Sequence, residues 1–570
     1  MVHISLALAS ASFSAEKPNV VFILADDLGY NEMNWMNATR GIQTPHLDAL
    51  AHSGVTMKNY YVGAICSPTR SMLMTGRYTT RLGTQSSVIF WDTPWGVPIN
   101  ETFVGQDFQN AGYSTAMFGK WHLGMFKQAY TPKHRGFDEH AGYYQGCGSA
   151  WTHVAACCTA GSSYNDTDFV CKAGEGPTGK KADFRGYDWF ATGANPTPES
   201  DSMPVLAANH TNSVDLIAGK AVEFIERKTK EAKAPFFMYL PFQNIHGPYT
   251  TQEKFFNLYS DRTKFTEGEA TMFGYITELD DAVGTIVAAL KSSGAYANTI
   301  VAFSSDNGAP SASEDVDHLR PHVGGGMGYI ARNYPLRGKK TYIWEGGVKV
   351  PGFISGGSAL IPASARGTIN GKLFHVTDWI PTLLGLAGVD VSLSHGRGAG
   401  EQFALDGFDV FGALTDPATP SPRKEMLYNV SPLCHSGQAQ SPKAGLRIGD
   451  FKLLAWCFTV AGINGSTVTG PAMAPSSRSV DPGFYTNDGL VLYDLKADPT
   501  ESTNIRADPA HAATVKQLLA RMKAVALEMV EPQQWDPPYQ GPEYFCADCP
   551  KHEATGAPDN GPATPWEPWL

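Results

Sequence analysis

Four short apolar runs in this chain stop abruptly at polar or charged residues, and that pattern confines the fold more tightly than any other feature. They are residues 19–25 (Asn-Val-Val-Phe-Ile-Leu-Ala), 113–118, 235–241 (Pro-Phe-Phe-Met-Tyr-Leu-Pro) and 299–304 (Thr-Ile-Val-Ala-Phe-Ser). Each is rich in β-branched or aromatic residues and lacks the alternation of a half-exposed strand, so each reads as a strand covered on both faces. Helical patterns lie between them, at 44–55, 104–110, 214–230 and 275–291. Strands separated by helices predict an α/β fold: a large, mostly parallel central sheet flanked by helices. In such sheets ligands bind beyond the carboxyl ends of the strands.

Those ends carry the chemistry. The runs exit into Asp26-Asp27, into Lys120 and His122 between two glycines, into His246, and into Asp306-Asn307. Taken singly, each has an ordinary explanation. One Asp can cap a helix, a Lys-His pair is more often a surface feature, and a lone His is often structural. Two adjacent carboxylates after a buried strand are nonetheless costly unless something pairs with them, and chance rarely puts all four sets at strand exits. Asp26, Asp27, Asp306 and Asn307 offer only oxygen, which suits a hard cation such as Ca²⁺ or Mg²⁺ rather than zinc. A cation there would hold an oxyanion as a Lewis acid, with Arg70, Lys120 and Lys340 balancing the remaining charge. His122 and His246 are the candidate proton-transfer groups. The residues alone predict a metal-assisted hydrolase of a sulfate or phosphate ester.

The nucleophile position is read from residues 66–77, Cys-Ser-Pro-Thr-Arg-Ser-Met-Leu-Met-Thr-Gly-Arg. Ser67 is a good N-cap and Pro68 a good first helical residue. That places Cys66 at a helix N-terminus, where free N–H groups favour an anion, with Arg70 one turn along. Of nine cysteines, removing Cys66 leaves Cys147, Cys157, Cys158, Cys171, Cys434, Cys457, Cys546 and Cys549, an even set suited to disulfides. Asn-x-Ser/Thr sites at Asn37, Asn100, Asn165, Asn209, Asn429 and Asn464, and a small apolar segment at 1–15 that resembles a signal peptide, point the same way. Together they predict passage through the secretory pathway, to an extracellular or lysosomal (vacuolar) destination. A net charge of −11 argues against a general nucleic-acid partner, and no apolar run approaches a membrane span.

The expected organisation is a catalytic unit at 17–415, containing a Gly-, Cys- and Tyr-rich insertion at 140–205, then a smaller unit at 424–535 and a Pro- and Cys-rich tail at 536–570. In the smaller unit, 444–458 and 489–495 read as strands of a short antiparallel sheet and 512–530 as a helix. The glycines at 324–328 neither follow a strand nor open a helix, so they are not a nucleotide fingerprint. The basic cluster Arg337, Lys339 and Lys340 lies among glycines and aromatics, which fits an active-site loop.

Here the sequence resembles a known family. Cys66-Ser67-Pro68-Thr69-Arg70 with Thr75-Gly76-Arg77 is similar to the sulfatase signature. Leu24–Gly29, Gly119–Gly124, Asp306-Asn307-Gly308 and Trp344-Glu345-Gly346-Gly347 match further landmarks. The match runs over 18–504 and looks nearest to the arylsulfatase B (N-acetylgalactosamine-4-sulfatase) branch, through 335–340, 405–410 and 420–423. The resemblance implies an alkaline-phosphatase-like fold and one Ca²⁺ held by Asp26, Asp27, the modified Cys66, Asp306 and Asn307. It implies that a formylglycine-generating enzyme converts Cys66 to formylglycine, whose hydrate attacks sulfur and forms a sulfo-enzyme intermediate. His246 and Lys340 would then serve the leaving oxygen, His122 the second diol hydroxyl, and Arg70 and Lys120 the sulfate charge. The implied substrate is a sulfated sugar or an aryl sulfate. Alternatives are a phosphate or phosphonate monoester hydrolase on the same scaffold, and an inactive calcium-containing glycan-binding protein.

Overall fold

The computed structural model describes residues 17–36, 40–90, 95–155, 186–193, 202–310, 331–389, 404–431, 442–456, 489–530 and 532. The first strands are β1 (Asn19–Ala25), β2 (Val55–Tyr61), β3 (Ser114–Lys120) and β4 (Glu139–Tyr143). Short strands β5 (Val154–Ala155), β6 (Gly186–Tyr187), β7 (Phe190–Thr192) and β8 (Ser202–Pro204) follow. Next come β9 (Phe236–Pro241), β10 (Thr299–Ser305), β11 (Gly352–Gly356) and β12 (Thr368–His375). The last four are β13 (Glu425–Val430), β14 (Ala444–Ile448), β15 (Phe451–Ala455) and β16 (Leu490–Asp494).

A ten-stranded sheet has the order β12-β2-β11-β10-β1-β9-β3-β4-β7-β8. The four runs singled out in the sequence are its consecutive members β10, β1, β9 and β3, all mutually parallel. Their carboxyl ends therefore share one edge, and the polar residues that follow them are neighbours. The uniform hydrophobicity of these runs has a direct cause. In β1, Val21, Ile23 and Ala25 face a core that includes Leu47, Ile217 and Ile276. Val20, Phe22 and Leu24 face a second core with Leu73, Phe108 and Leu383. The helices Pro45–Ser53, Ser213–Glu231 and Glu267–Ser292 cover the first face, and Cys66–Thr75, Val104–Asn110 and Trp379–Leu386 cover the second. Burial on both faces, at about 25 cal/mol per Å² of apolar surface, fixes the register and so the site at the strand ends.

The strands β2, β11 and β12 were not legible in the sequence. β2 carries Lys58 exposed and Asn59 half-buried in its middle, and β12 is a mostly half-exposed edge. The helix expected at 275–291 begins earlier, at Glu267. Thr266 Oγ1 accepts the Glu269 N–H (3.2 Å) while the Glu269 carboxylate accepts the Thr266 N–H (3.0 Å), a capping box the apolar pattern does not reveal. Within the segment expected as one strand at 444–458, residues 444–455 form a hairpin turning at Gly449 with φ +59°.

The second sheet, β13-β14-β15-β16, is antiparallel. One face packs on the helix Ala512–Glu528 through Val515, Leu518 and Met522. The other face sets Tyr428, Leu454, Val491 and Tyr493 against Tyr61, Ile343, Trp344 and Val348 of the main body. No helix among the described residues is long and apolar enough to cross a membrane.

Cys147 is disulfide-bonded, and Cys66 is the free cysteine among the described residues. The other seven cysteines, Asn37, Asn165 and Asn464, the segment 1–15, the tail 536–570 and the glycines at 324–328 lie outside the described residues, as does much of 140–205. Asn100 and Asn209 are exposed, as a glycan acceptor must be. Asn429 is half-buried and its Nδ2 donates to the Gln85 carbonyl (2.9 Å), so its amide is already engaged.

Candidate active site

Asp26 and Asp27 leave β1 at its carboxyl end. Asp27 has φ +61°, a left-handed conformation that costs a non-glycine residue about 1–3 kcal/mol. The turn lets two successive carboxylates meet separate partners in one site. Asp26 Oδ2 accepts from Lys120 Nζ (2.5 Å) and lies 3.6 Å from Arg70 Nη2. Asp27 accepts from Lys340 Nζ at both oxygens (2.7 and 3.0 Å) and from Asn307 Nδ2 (2.7 Å). Burial opposes ionisation at both carboxyls. Lys120, His246 and Arg70 outweigh it at Asp26, and Lys340 and His246 do so at Asp27, so both pKa values fall below the ordinary Asp value.

Cys66 opens the helix Cys66–Thr75, but the helix start differs from the sequence expectation. Ile65 is the N-cap, and Ser67 lies inside the helix. Ser67 Oγ instead donates to the His122 carbonyl (2.8 Å) and accepts the Ile89 N–H (3.0 Å). The side chain joins two neighbouring loops instead of capping, and Cys66 still occupies the first helical position. Its Sγ lies 3.7 Å from Asp26 Oδ1. Burial and the nearby Asp306 push the thiol up to about 12, against the opposing pull of Lys120 and Lys340. One turn on, Arg70 is fully buried. Its Nε and Nη2 both donate to Asp306 Oδ2 (3.0 and 2.8 Å), and its Nη1 donates to the Lys120 carbonyl (3.0 Å). The partner carboxylates more than offset burial and raise the guanidinium pKa further. At the other end of this helix Arg77 forms a two-pronged pair with Glu101 (2.7 and 2.9 Å), a structural anchor away from the strand ends.

Lys120 ends β3 and His122 follows two residues later. Gly119 precedes them with φ +130°, and a Cβ there would stand 2.0 Å from the Pro241 carbonyl oxygen, so only glycine allows β3 and β9 to end this close together. His122 also has a left-handed backbone (φ +60°). A Cβ on Gly146 would lie 2.6 Å from its Cε1, so that glycine makes the space for the ring. His122 Nδ1 is buried and has no hydrogen-bond partner among the described residues. Burial, with Lys120 and Arg70 adding to it, holds the imidazole well below its usual pKa, neutral and able to accept a proton. His246 Nδ1 pairs with the Gly247 carbonyl (2.6 Å), which can only accept, so Nδ1 carries a proton. Nε2 is then the nitrogen that faces Asp27 Oδ2, at 3.8 Å. Burial and Lys340 lower the His246 pKa, against Asp27 and Asp26.

Asp306 and Asn307 leave β10. Asp306 Oδ1 accepts the Asp27 N–H (3.2 Å), and its other oxygen is held by Arg70. Asn307 Nδ2 is engaged by Asp27 Oδ1 and the Gly308 carbonyl, while Asn307 Oδ1 is buried with no partner among the described residues. That orphaned oxygen, beside three buried carboxylates, fits a hard cation. A further grouping places single ligand atoms of Asp26, Asp27, Cys66 and His246 within 4.8 Å of one another. The set read from the sequence omits His246 and includes Asp306, whose Oδ2 is held by Arg70 and whose Oδ1 accepts the Asp27 N–H and keeps a second lone pair.

All the site residues read from the sequence thus meet at one edge of the sheet. The basic cluster separates: Lys340 reaches Asp27, Arg337 lies over the Trp344 ring (4.0 Å) and Lys339 near the Tyr342 ring (5.8 Å). Sequence reasoning missed Ser67 and Gly146. Neither carries a signal of its own, because one looks like a cap and the other lies in an aperiodic segment.

The Sulfatase family model matches residues 18–389. Arylsulfatase J of Mus musculus is 30% identical over 524 residues, covering 89% of this chain and 75% of that protein. Arylsulfatase A of Homo sapiens is 29% identical over 530 residues, covering 92% and 90%. These relatives do not single out the arylsulfatase B branch. Among solved structures, the PsFucS1 sulfatase from Pseudoalteromonas sp. superposes with a TM-score of 0.65 at 23% identity, covering 90% of this chain and 92% of that one, a likeness of fold.

Proposed function

The chain belongs to the sulfatase family and is a sulfuric ester hydrolase of arylsulfatase type, and from that premise we propose that it cleaves the sulfate ester of a sulfated carbohydrate or an aryl sulfate. The observation that carries this reading is the convergence of Cys66 with three carboxylates, three cations and two histidines at the ends of β1, β3, β9 and β10. The three carboxylates and three cations balance, so a divalent cation leaves the site doubly positive and complementary to sulfate.

Asp26, Asp27, Asp306 and Asn307 would hold a calcium ion, with the modified residue 66 beside them. The orphaned Asn307 Oδ1 and the oxygen-only donors support that choice. The ion would supply Lewis-acid polarisation, and conversion of Cys66 to formylglycine would supply a hydroxyl nucleophile in place of a thiol that burial keeps protonated. Arg70 and Lys120 hold negative charge next to residue 66. Lys340, protonated at Nζ, serves the oxygen of the departing alcohol, and His246 would join it as the imidazolium, in which Nε2 also carries a proton. His122, neutral and with Nδ1 unpartnered among the described residues, receives the proton given up when residue 66 is restored. The disulfide at Cys147 and the exposed Asn100 and Asn209 support a secretory route, on which the chain would meet a formylglycine-generating enzyme. We divide the chain into a catalytic unit at 17–415 and a smaller unit at 424–535, in keeping with the two sheets.

The test is selectivity. The kcat/KM for 4-nitrophenyl sulfate is expected to exceed that for 4-nitrophenyl phosphate by at least about 100-fold, a difference of about 2.7 kcal/mol in transition-state binding. The reverse order makes the chain a phosphate or phosphonate ester hydrolase. Binding of a sulfated glycan with no turnover of either ester makes it a non-catalytic binding protein.

A further inference from the structure

Outside the active site, a buried charged cluster joins the second sheet to the loop that carries Lys340. Glu345 opens the short helix Glu345–Val348, five residues after Lys340. Its Oε2 accepts from the Tyr61 hydroxyl (2.7 Å), and its Oε1 accepts from the Tyr428 hydroxyl (3.2 Å) and from Lys452 Nζ (3.0 Å). Its backbone N–H donates to Glu501 Oε2 (2.7 Å). Lys452 Nζ also pairs with Glu501 Oε1 (2.8 Å). Glu345, Lys452 and Glu501 are each 1% exposed or less. On the other side of Lys340, Arg337 Nη1 donates to the Glu501 backbone carbonyl (3.1 Å), and its guanidinium lies over Trp344. Glu501 thus grips the loop at both ends.

The same loop touches the active site along its length. The Gly346 N–H donates to the Arg337 carbonyl (2.6 Å) and closes the loop on itself. The Lys340 N–H donates to the Ala309 carbonyl (3.0 Å), two residues after Asn307. The Thr341 N–H donates to the Ala64 carbonyl (2.6 Å), two residues before Cys66. Buried ion pairs of this kind add little stability over apolar packing of equal volume, and their best-attested use is to fix one geometry. Lys452 lies in β15 on the same sheet face as Leu454, opposite Arg447 of β14, whose Nη1 donates to the Tyr61 hydroxyl (2.7 Å). An apolar side chain in place of Lys452 would leave the Glu345 and Glu501 carboxylates that hold the loop buried without the cation that orients them both.

We propose that Lys452 and Glu501 are positioning residues through which the second sheet holds the 337–345 loop and keeps Lys340 at the departing oxygen. The proposal rests on the sulfatase reading of Lys340, and neither residue touches the reacting atoms. A loosened loop should therefore penalise poor leaving groups selectively, because these depend most on stabilisation of the departing oxygen.

The experiment measures kcat/KM for a series of substituted phenyl sulfates with wild type, Glu501→Gln, Lys452→Met and Lys452→Arg, together with hydrogen exchange of the loop peptide. Glu501→Gln is expected to lose about tenfold on the least acidic phenol and less than threefold on 4-nitrophenyl sulfate, equivalent to about 1 kcal/mol of selective loss. Lys452→Met should steepen the dependence further and Lys452→Arg should recover part of it. Faster amide exchange should be confined to 335–345. Where Lys452→Met fails to fold, Glu501→Gln decides the matter. An equal loss on every phenyl sulfate, or a leaving-group dependence and loop exchange identical to wild type, overturns the proposal. A wild-type protein inert toward every sulfate ester would refute the enzymatic reading, whereas exchange raised only in the loop would still support the clamp.

Discussion

Replacing Cys66 with alanine is expected to lower kcat/KM for an aryl sulfate by at least about 10⁴-fold, the scale on which loss of a nucleophile is felt. The fold should survive. The thiol makes one close polar approach, to Asp26 Oδ1 at 3.7 Å. The helix start is secured by other groups, namely Ser67 on the His122 carbonyl and the Thr69 N–H on the Ile65 carbonyl. Removing one buried sulfur costs about 1 kcal/mol or less of stability. Melting temperature and circular dichroism should therefore match wild type while turnover vanishes, a combination that separates loss of chemistry from loss of structure. Retained turnover would show that residue 66 is not the nucleophile position.

Replacing Arg70 with methionine is expected to act on both. Arg70 gives Asp306 Oδ2 two hydrogen bonds, gives one to the Lys120 carbonyl, and adds a nearby positive charge for Asp26, all without exposure to water. Methionine fills similar space and returns none of these. Removing one partner of a buried ion pair costs about 3–5 kcal/mol, because the other charge stays buried and unpaired. Denaturant unfolding of protein stripped of divalent cations should show that loss, and activity should fall below detection. Arg70→Lys should recover part of the stability but little activity, because an ammonium cannot reproduce the planar fork. A methionine variant as stable as wild type would contradict the ion-pair network described at the strand ends.

The centre of the sheet was legible because its strands are covered on both faces, which leaves an unmistakable apolar run followed by a polar exit. The same reasoning brings Asp26, Asp27, Lys120, His122, His246, Asp306 and Asn307 together at one edge of the sheet. β2 and β12 were not legible because one carries polar residues mid-strand and the other is half-exposed. Ser67 misled for a physical reason: its composition favours a cap, but two neighbouring loops offered its hydroxyl better partners. Lys452 was visible only as one charge in an apolar strand, and its partner Glu501 lies in an irregular segment with φ +57°. Contacts between distant segments such as these leave no periodic trace in a sequence.

Mass spectrometry of the peptide containing residues 66–70, taken from active protein made in its own organism, tests the central claim most directly. The account predicts that the thiol of Cys66 has been replaced by an aldehyde, with the sulfur gone and turnover proportional to the converted fraction. Full sulfate-ester hydrolysis by protein carrying only the unmodified thiol would contradict it.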